Sequence, residues 1–385
     1  MFGKRFRLFN LLGFEVRVDL SWVVIAVLIA WSLSTGLFPL QYKGLSHQTY
    51  WVMGIIGAAG LFFSIIVHEF AHSVVARRHG MPMKGITLFI FGGVAEMGEE
   101  PPSPKSEFLM AIAGPISSFA MAVFFYLIQA AGKTAGLSQA VIGVMGYLAL
   151  INGLLGAFNL IPAFPLDGGR ALRAVIWHAK KDLGRATLIS SRIGAGFGIG
   201  LILLGVLNVL GGNFVGGMWW FLLGMFLHGA ARSSYQRLVT KGALEGMPVS
   251  RIMKRDPVTV DPSITVQYLV EELIYQYHHK MYPVVDPDGG LIGCVTTRDV
   301  KKVPREEWPQ HTVQEIASEC SEDNTVPFDA DAAEALNRMQ RSGNSRLMVT
   351  RGHRLEGVIA LKDLMELVAL KGELEGDGRS IHPRL

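Results

Sequence analysis

Apolar residues are unevenly distributed along this chain. Six runs dominate its first 230 positions: Leu20–Leu40, Tyr50–Arg78, Phe108–Ala131, Ala140–Leu160, Ile193–Leu210 and Phe214–Ala230. Each reaches or exceeds the ~17–25 residues with which a helix crosses the hydrocarbon core of a bilayer. Between the second and third runs the pattern changes. Ile86–Met97 is short, β-prone and interrupted by Gly92-Gly93, which predicts a hairpin and not a helical span. Glu99–Lys105 reads as a polar loop. After Gly246 the long runs stop, and the chain repeats itself. Val258-Thr-Val-Asp261, Tyr282-Pro-Val-Val and Leu291-Ile-Gly293 through Asp299 recur as Val326-Pro-Phe-Asp329, Leu347-Met-Val-Thr and Leu355-Glu-Gly357 through Asp363. Each copy predicts strand, helix, strand, strand, helix, and two copies imply a paired α/β module. The division expected is a six-span domain over 1–231, a linker over 232–246, a repeat pair over 247–370 (247–303 and 312–370) and a flexible tail over 371–385.

Composition agrees with that division. Half of the 385 residues are hydrophobic and only 18% are charged, the balance of a membrane protein. A net charge of +4 is too small to argue for nucleic acid. The cations cluster instead beside the apolar runs, where anionic headgroups lie. Lys4, Arg5, Arg7 and Arg17 precede the first run. Arg77, Arg78, Lys84 and Lys105 lie between the second and third, Arg170, Arg173, Lys180, Lys181 and Arg185 between the fourth and fifth, and Arg232 and Arg237 after the sixth. The excess of Lys and Arg in cytoplasmic loops then predicts a cell-membrane protein with both termini and the repeat pair in the cytoplasm. Both cysteines, Cys294 and Cys320, fall in the repeat region, which suits a reducing compartment.

The chemistry-bearing stretch is His68-Glu69-Phe70-Ala71-His72, near the end of the second run. Residues four apart share a helix face, so His68 and His72 can grip one metal ion, and Glu69 on the same turn can reach a water there. Arg77 follows nine residues after His68; at about 1.5 Å per residue the motif lies ~14 Å inward of that basic anchor. Ionisable groups inside a span default to a functional reading. A catalytic zinc needs a third protein ligand. Glu96, Asp182, His228 and Asp167 are the candidates, and Asp167 equally fits a turn or a helix N-cap within Pro162-Ala-Phe-Pro165-Leu-Asp167-Gly168-Gly169.

The pairing of His68-Glu69-x-x-His72 with Asn159-Leu-Ile-Pro162-Ala-Phe-Pro165-Leu-Asp167-Gly168-Gly169 resembles the site-2 proteases, zinc metalloproteases that act within membranes. The resemblance implies that His68, His72 and Asp167 bind one zinc ion and that Glu69 is the general base. It implies that Asn159 helps hold substrate or the oxyanion. Gly114-Pro115 is similar to a family feature, but Ser117-Ser118 stands where an asparagine often follows, so no role is transferred there. The implied substrates are single-pass membrane proteins cleaved in the bilayer, with the hairpin offering an edge to an unwound segment.

The repeat pair resembles cystathionine-β-synthase (CBS) domains. There the resemblance implies binding of ATP, ADP or AMP through Thr296 and Asp299 in the first copy and Asp363 in the second, where Ala360 replaces the threonine. A homodimer through the pair is a further expectation. The fold class expected is therefore a six-span α-helical membrane protein with a membrane-associated β-hairpin and a cytosolic α/β CBS pair. The alternatives are a CBS-regulated channel or transporter, which has no need of Glu69 between the histidines, and an inactive protease-like scaffold.

Overall fold

The computed structural model describes residues 5–11, 13–81, 83–89, 92–97 and 100–375. These form two compact units, Met1–Gln236 and Arg237–Leu385.

The first unit is a helix bundle with a small sheet. Strands β1 (Arg5–Leu11) and β2 (Phe14–Asp19) lead into α1 (Leu20–Ser32). A π-helical turn, Leu33–Leu37, joins α1 to the short α2 (Phe38–Gln41). Then come α3 (His47–Arg78), β3 (Met83–Phe89), β4 (Gly92–Met97), α4 (Pro104–Thr134), α5 (Gln139–Asn159), α6 (Asp167–Lys180), α7 (Leu183–Leu210) and α8 (Phe214–Leu244). Among the described residues six segments are long and apolar enough to cross a bilayer: Leu20–Gln41, α3, α4, α5, α7 and α8. They coincide with the six runs read from the sequence, and the protein is a multi-span membrane protein.

Short polar residues start these helices. The side chains of Asp19, Ser46, Ser103, Ser138 and Asp182 each accept a hydrogen bond from a first-turn backbone N–H. Such a cap satisfies a donor that lipid cannot. It also accounts for Asp182, which caps α7 and pairs with Arg185.

The expected hairpin, β3 with β4, is half of a larger sheet. Its strand order is β1-β2-β3-β4, antiparallel within each hairpin and parallel where β2 meets β3. The added half comes from the N-terminal segment, which was expected only as a basic flank. Phe14, Val16 and Val18 alternate inward on β2, and Val16 and Val18 pack with Trp22, Ile65 and Ile66. Phe14 meets Phe70 edge-on at 5.8 Å, so the sheet rests on the helix that carries the histidine motif. The outer strands are β1 and β4, and β4 lies against α3. The turn between β3 and β4, with Ile90, lies outside the described residues.

Glycines on α7 serve close packing on one face. A β-carbon on Gly198 would lie 2.7–2.9 Å from atoms of Gly224 and His228 on α8, and one on Gly194 would strike the Phe164 carbonyl, while Gly196 and Gly200 face open space. Small residues let membrane helices approach to this degree. Helix α8 continues to Leu244, so the stretch expected as linker is helical as far as that residue, and Gly246 follows at φ +73°.

The second unit holds the two copies. The first builds β5 (Met281–Val285) and β6 (Leu291–Thr296), and β6 pairs with β7 (Ser318–Glu319) from the opening of the second copy. The second builds β8 (Thr325–Pro327), β9 (Arg346–Arg351) and β10 (Arg354–Ala360). The strand expected at Val258–Asp261 is reduced to one parallel bridge, Val260 with Val284. Two apolar cores form and each draws on both copies: Val249 and Met253 of the first pack with Val326, Leu347 and Ile359 of the second, and Val313 of the second packs with Val260, Tyr282 and Val295 of the first. Met281 and Cys294 of one pack with Met348 of the other. The last helix runs from Leu361 to Glu375, five residues into the expected tail; residues 376–385 lie outside the described residues.

Candidate metal centre

Three helices build the site. The spacing of four on α3 stacks His68 and His72 on one face, and both are buried. Asp167 opens α6, immediately after the Leu160–Leu166 turn. Asp167 Oδ2 lies 3.0 Å from His68 Nε2 and 3.2 Å from His72 Nε2, and the two Nε2 atoms are 3.2 Å apart. A tetrahedral zinc ion with bonds of about 2.0 Å spaces its ligand atoms about 3.3 Å apart, so the donor set fits that ion.

The other side of each imidazole is held by α4. His72 Nδ1 donates to the Met110 carbonyl at 2.7 Å, and His68 Nδ1 pairs with Ser118 Oγ at 2.8 Å. A carbonyl only accepts, so the proton of neutral His72 is on Nδ1 and the Nε2 lone pair is free for a metal. The His72 Nε2 lone pair and the Asp167 carboxylate thus face one another, an arrangement that a shared cation satisfies.

Gly114 leaves the space. A β-carbon there would overlap His72 Nε2 and lie 2.6 Å from His68 Nε2. Pro115 follows inside α4; lacking an N–H, it interrupts the helix ladder at the Ala111 carbonyl, next to Met110. Ser117, two residues beyond Pro115, donates to the Gly114 carbonyl at 2.7 Å.

The Asp-Gly-Gly sequence is neither turn nor N-cap: Leu166 is the N-cap of α6, and the glycines after Asp167 serve close approach. Gly168 and Gly169 are helical and buried. β-Carbons on them would strike the Leu160 carbonyl and the Ala163–Phe164 backbone. The absence of side chains lets the turn fold back tightly on α6 and so aims Asp167 inward.

The remaining sequence candidates separate. Glu69 is half-buried beside His68 and within electrostatic reach of His72, His68, Asp167 and Arg170. Asn159 ends α5, and its amide nitrogen donates to the Leu155 carbonyl at 3.0 Å. His228 pairs with the Ala195 carbonyl on α7. The side chain of Glu96 lies outside the described residues. The cluster of His68, His72 and Asp167 is the one group of potential metal ligands found among the described residues. Ser118, Met110 and Gly114 were not identified from sequence as parts of the site. The only sequence signal for them was the Gly-Pro pair inside an apolar run.

In the second unit, Thr296 and Asp299 form a reciprocal cap on the helix Thr297–Val300. Thr296 Oγ1 donates to Asp299 Oδ2 at 2.6 Å, and Lys302 Nζ to Oδ1 at 2.7 Å. Burial pushes the Asp299 carboxyl up, but the hydrogen bonds from Lys302 and Thr296 outweigh it and hold the group below the usual carboxylate range. Asp363 accepts from the Ala360 N–H at 2.9 Å and lies 3.6 Å from Lys254 Nζ. The second copy thus keeps the backbone half of this arrangement and lacks the hydroxyl.

A bundle of membrane helices that brings two histidines and an aspartate to a common point, with a glutamate beside them, has the build of a membrane-embedded metalloprotease. The sequence pattern of Peptidase family M50 matches residues 56–142 and 130–203, and the CBS domain pattern matches 249–306 and 313–370. The chain is 35% identical over 357 residues to Rip3 of Mycobacterium tuberculosis, a protein bearing the name of a zinc metalloprotease; the match covers 92% of this chain and 91% of that one. It is 29% identical to the zinc metalloprotease MJ0392 of Methanocaldococcus jannaschii, over 96% of this chain and 98% of the relative. The solved site-2 protease of Methanocaldococcus jannaschii is 26% identical, covers 60% of this chain and 94% of its own, and superposes with a TM-score of 0.42. The chain belongs to peptidase family M50, the zinc metalloproteases of the site-2 type, and carries a C-terminal pair of CBS domains.

Proposed function

We propose that the protein hydrolyses peptide bonds in or beside the transmembrane segments of single-pass membrane proteins, with one zinc ion held by His68, His72 and Asp167. The observation that carries this reading is the meeting of three ligand atoms within 3.2 Å of one another, two of them on a membrane helix. A zinc ion bound there supplies Lewis acidity and lowers the pKa of water beside it. Glu69 takes the proton of the attacking water and returns it to the leaving amine. Asn159 exchanges its bond to the Leu155 carbonyl for one to the substrate or the developing oxyanion, a preorganised dipole that gains force where water is scarce. Ser118 and Met110 keep both imidazoles turned toward the reacting centre.

A helical substrate hides its peptide groups and must be extended before attack. The outer strand β4, at the edge of the sheet and against α3, gives it a ladder to join. The grouping of basic loops supports an orientation with both termini and the CBS pair in the cytoplasm. We assign residues 1–231 to the protease domain and 247–370 to the CBS pair, with adenine nucleotide regulating cleavage through Thr296 and Asp299 and the pair joining two copies of the chain.

Substrate trapping tests the reading. In native membranes a Glu69→Gln variant should co-purify with intact single-pass proteins that wild type converts to fragments. Recovery of the same proteins, uncut, with both forms would refute it.

A further inference from the structure

Away from the metal cluster, the described residues of the first unit include a deeply buried ion pair. The side chains of Arg173 on α6 and Glu107 on α4 are 4% and 0% exposed. Arg173 Nε donates to Glu107 Oε1 at 2.6 Å, and Nη2 approaches the same oxygen at 2.5 Å. Nη1 reaches Thr187 Oγ1 on α7 at 3.4 Å, and Nη2 lies 3.3 Å from Glu100 Oε2, just after β4. The guanidinium carbon stands 5.5 Å from the centre of the Phe164 ring, in the turn that precedes Asp167. One cation therefore touches α4, α7, the turn before α6 and the segment after β4.

Stability alone is a poor reason for such a pair. Removing two charges from water costs about what their attraction returns, and apolar pairs of similar size often do as well. An arginine fork offers fixed geometry instead. Its placement gives that geometry a use. Both histidines come from α3, so their mutual spacing is set within one helix. Asp167 comes from α6, which packs on α4 and α7. Arg173 is six residues, or about 9 Å of helix, beyond Asp167. Glu107 is three residues before Met110, whose carbonyl orients His72, and α4 also supplies Ser118 to His68.

We propose that Arg173 and Glu107 are positioning residues for the metal centre: their ion pair fixes α6 against α4 and so sets the distance from Asp167 to the two histidines. The pair touches neither metal nor substrate. The proposal rests on the reading of His68, His72 and Asp167 as the metal ligands.

The test uses the full-length protein in detergent, with zinc affinity measured by chelator competition and the visible spectrum of the Co2+-substituted protein as a report on ligand geometry. Single apolar replacements strand a buried charge and lose folding, so two other variants decide. Glu107→Leu with Arg173→Met removes both charges together. Its thermal midpoint should stay at or above that of wild type, while zinc affinity falls about tenfold or more, as for other groups that orient metal ligands. Arg173→Lys keeps the charge and loses the fork; it should fold, bind zinc several-fold more weakly and show displaced Co2+ bands. Wild-type zinc affinity and Co2+ spectrum in either folded variant would overturn the proposal, and if the double variant fails to fold, Arg173→Lys decides alone. Failure of the underlying metal reading would look different, because wild type itself would bind no metal.

Discussion

A methyl group on Gly114 would overlap Nε2 of His72. The position is a helix interior, where alanine is favoured over glycine by about 1 kcal/mol, so glycine there is explained by the space it leaves. Gly114→Ala should therefore still fold, with a lowered thermal midpoint because the gain in helix propensity is offset by overpacking of about 1–3 kcal/mol, and retain less than about a tenth of its zinc, the scale of loss when ligand orientation fails. Zinc retained at the wild-type level by metal analysis would mean that the ligands meet elsewhere.

Ser118 gives a milder test of the same geometry. Removing its hydroxyl leaves His68 Nδ1 without its partner at 2.8 Å. Ser118→Ala should weaken zinc binding about 10–100-fold, and Ser118→Thr, which keeps the hydroxyl, should restore most of it. Equal zinc affinity in the alanine variant and wild type would leave the hydroxyl with a packing role only.

How far the sequence carried this picture depended on the strength of each local signal. The six spans and the two imidazoles needed only helical spacing and apolar length. Asp167 was one candidate of four until the Asn159–Gly169 motif was matched to a family. Strands β1 and β2 were missed, although Phe14, Val16 and Val18 alternate cleanly, because Arg5, Arg7 and Arg17 on the same strands drew the reading toward a charged flank. The β3 partner of β2 is more than sixty positions away, and pairing over that distance leaves no local mark. Ser118 was given no role because Ser117-Ser118 stands where the family pattern often has an asparagine. Only the fold places His68 opposite it.

The larger sheet changes where an extended substrate should be sought. Leu88 lies on β3, which is paired on both sides, so a proline there damages the sheet itself. Strand β4 has the open side. Neighbouring residues of a strand turn their N–H groups to opposite sides, so proline at Val94 and at Ala95 should differ. The variant that removes the outward donor should cut cleavage of a transmembrane substrate about tenfold, near the value of one hydrogen bond, and spare zinc and a short unstructured peptide. Equal losses on both substrates for both variants would make β4 purely structural.

For the CBS pair, the local bonds give the two copies different prospects. Thr296 and Asp299 keep a hydroxyl and a carboxylate together, whereas Asp363 has only the Ala360 N–H and the Lys254 ammonium. Calorimetry with ATP, ADP and AMP should show one nucleotide per chain, lost in Asp299→Ala and retained in Asp363→Ala. A cleavage assay should show a nucleotide response that disappears with the first of these. No binding below millimolar concentration, or binding without effect on cleavage, would favour a dimerising role.

The most direct test of zinc-dependent hydrolysis at His68, Glu69, His72 and Asp167 is zinc content and cleavage measured on the same liposome samples of wild type and Glu69→Gln, with a transmembrane substrate. Glu69→Gln removes the proton acceptor and leaves the three ligands in place. Both samples should hold about one zinc per chain, while cleavage by the variant falls by about 10²–10⁴. Cleavage by Glu69→Gln within tenfold of wild type, or undiminished cleavage by wild type stripped of zinc, would contradict the assignment.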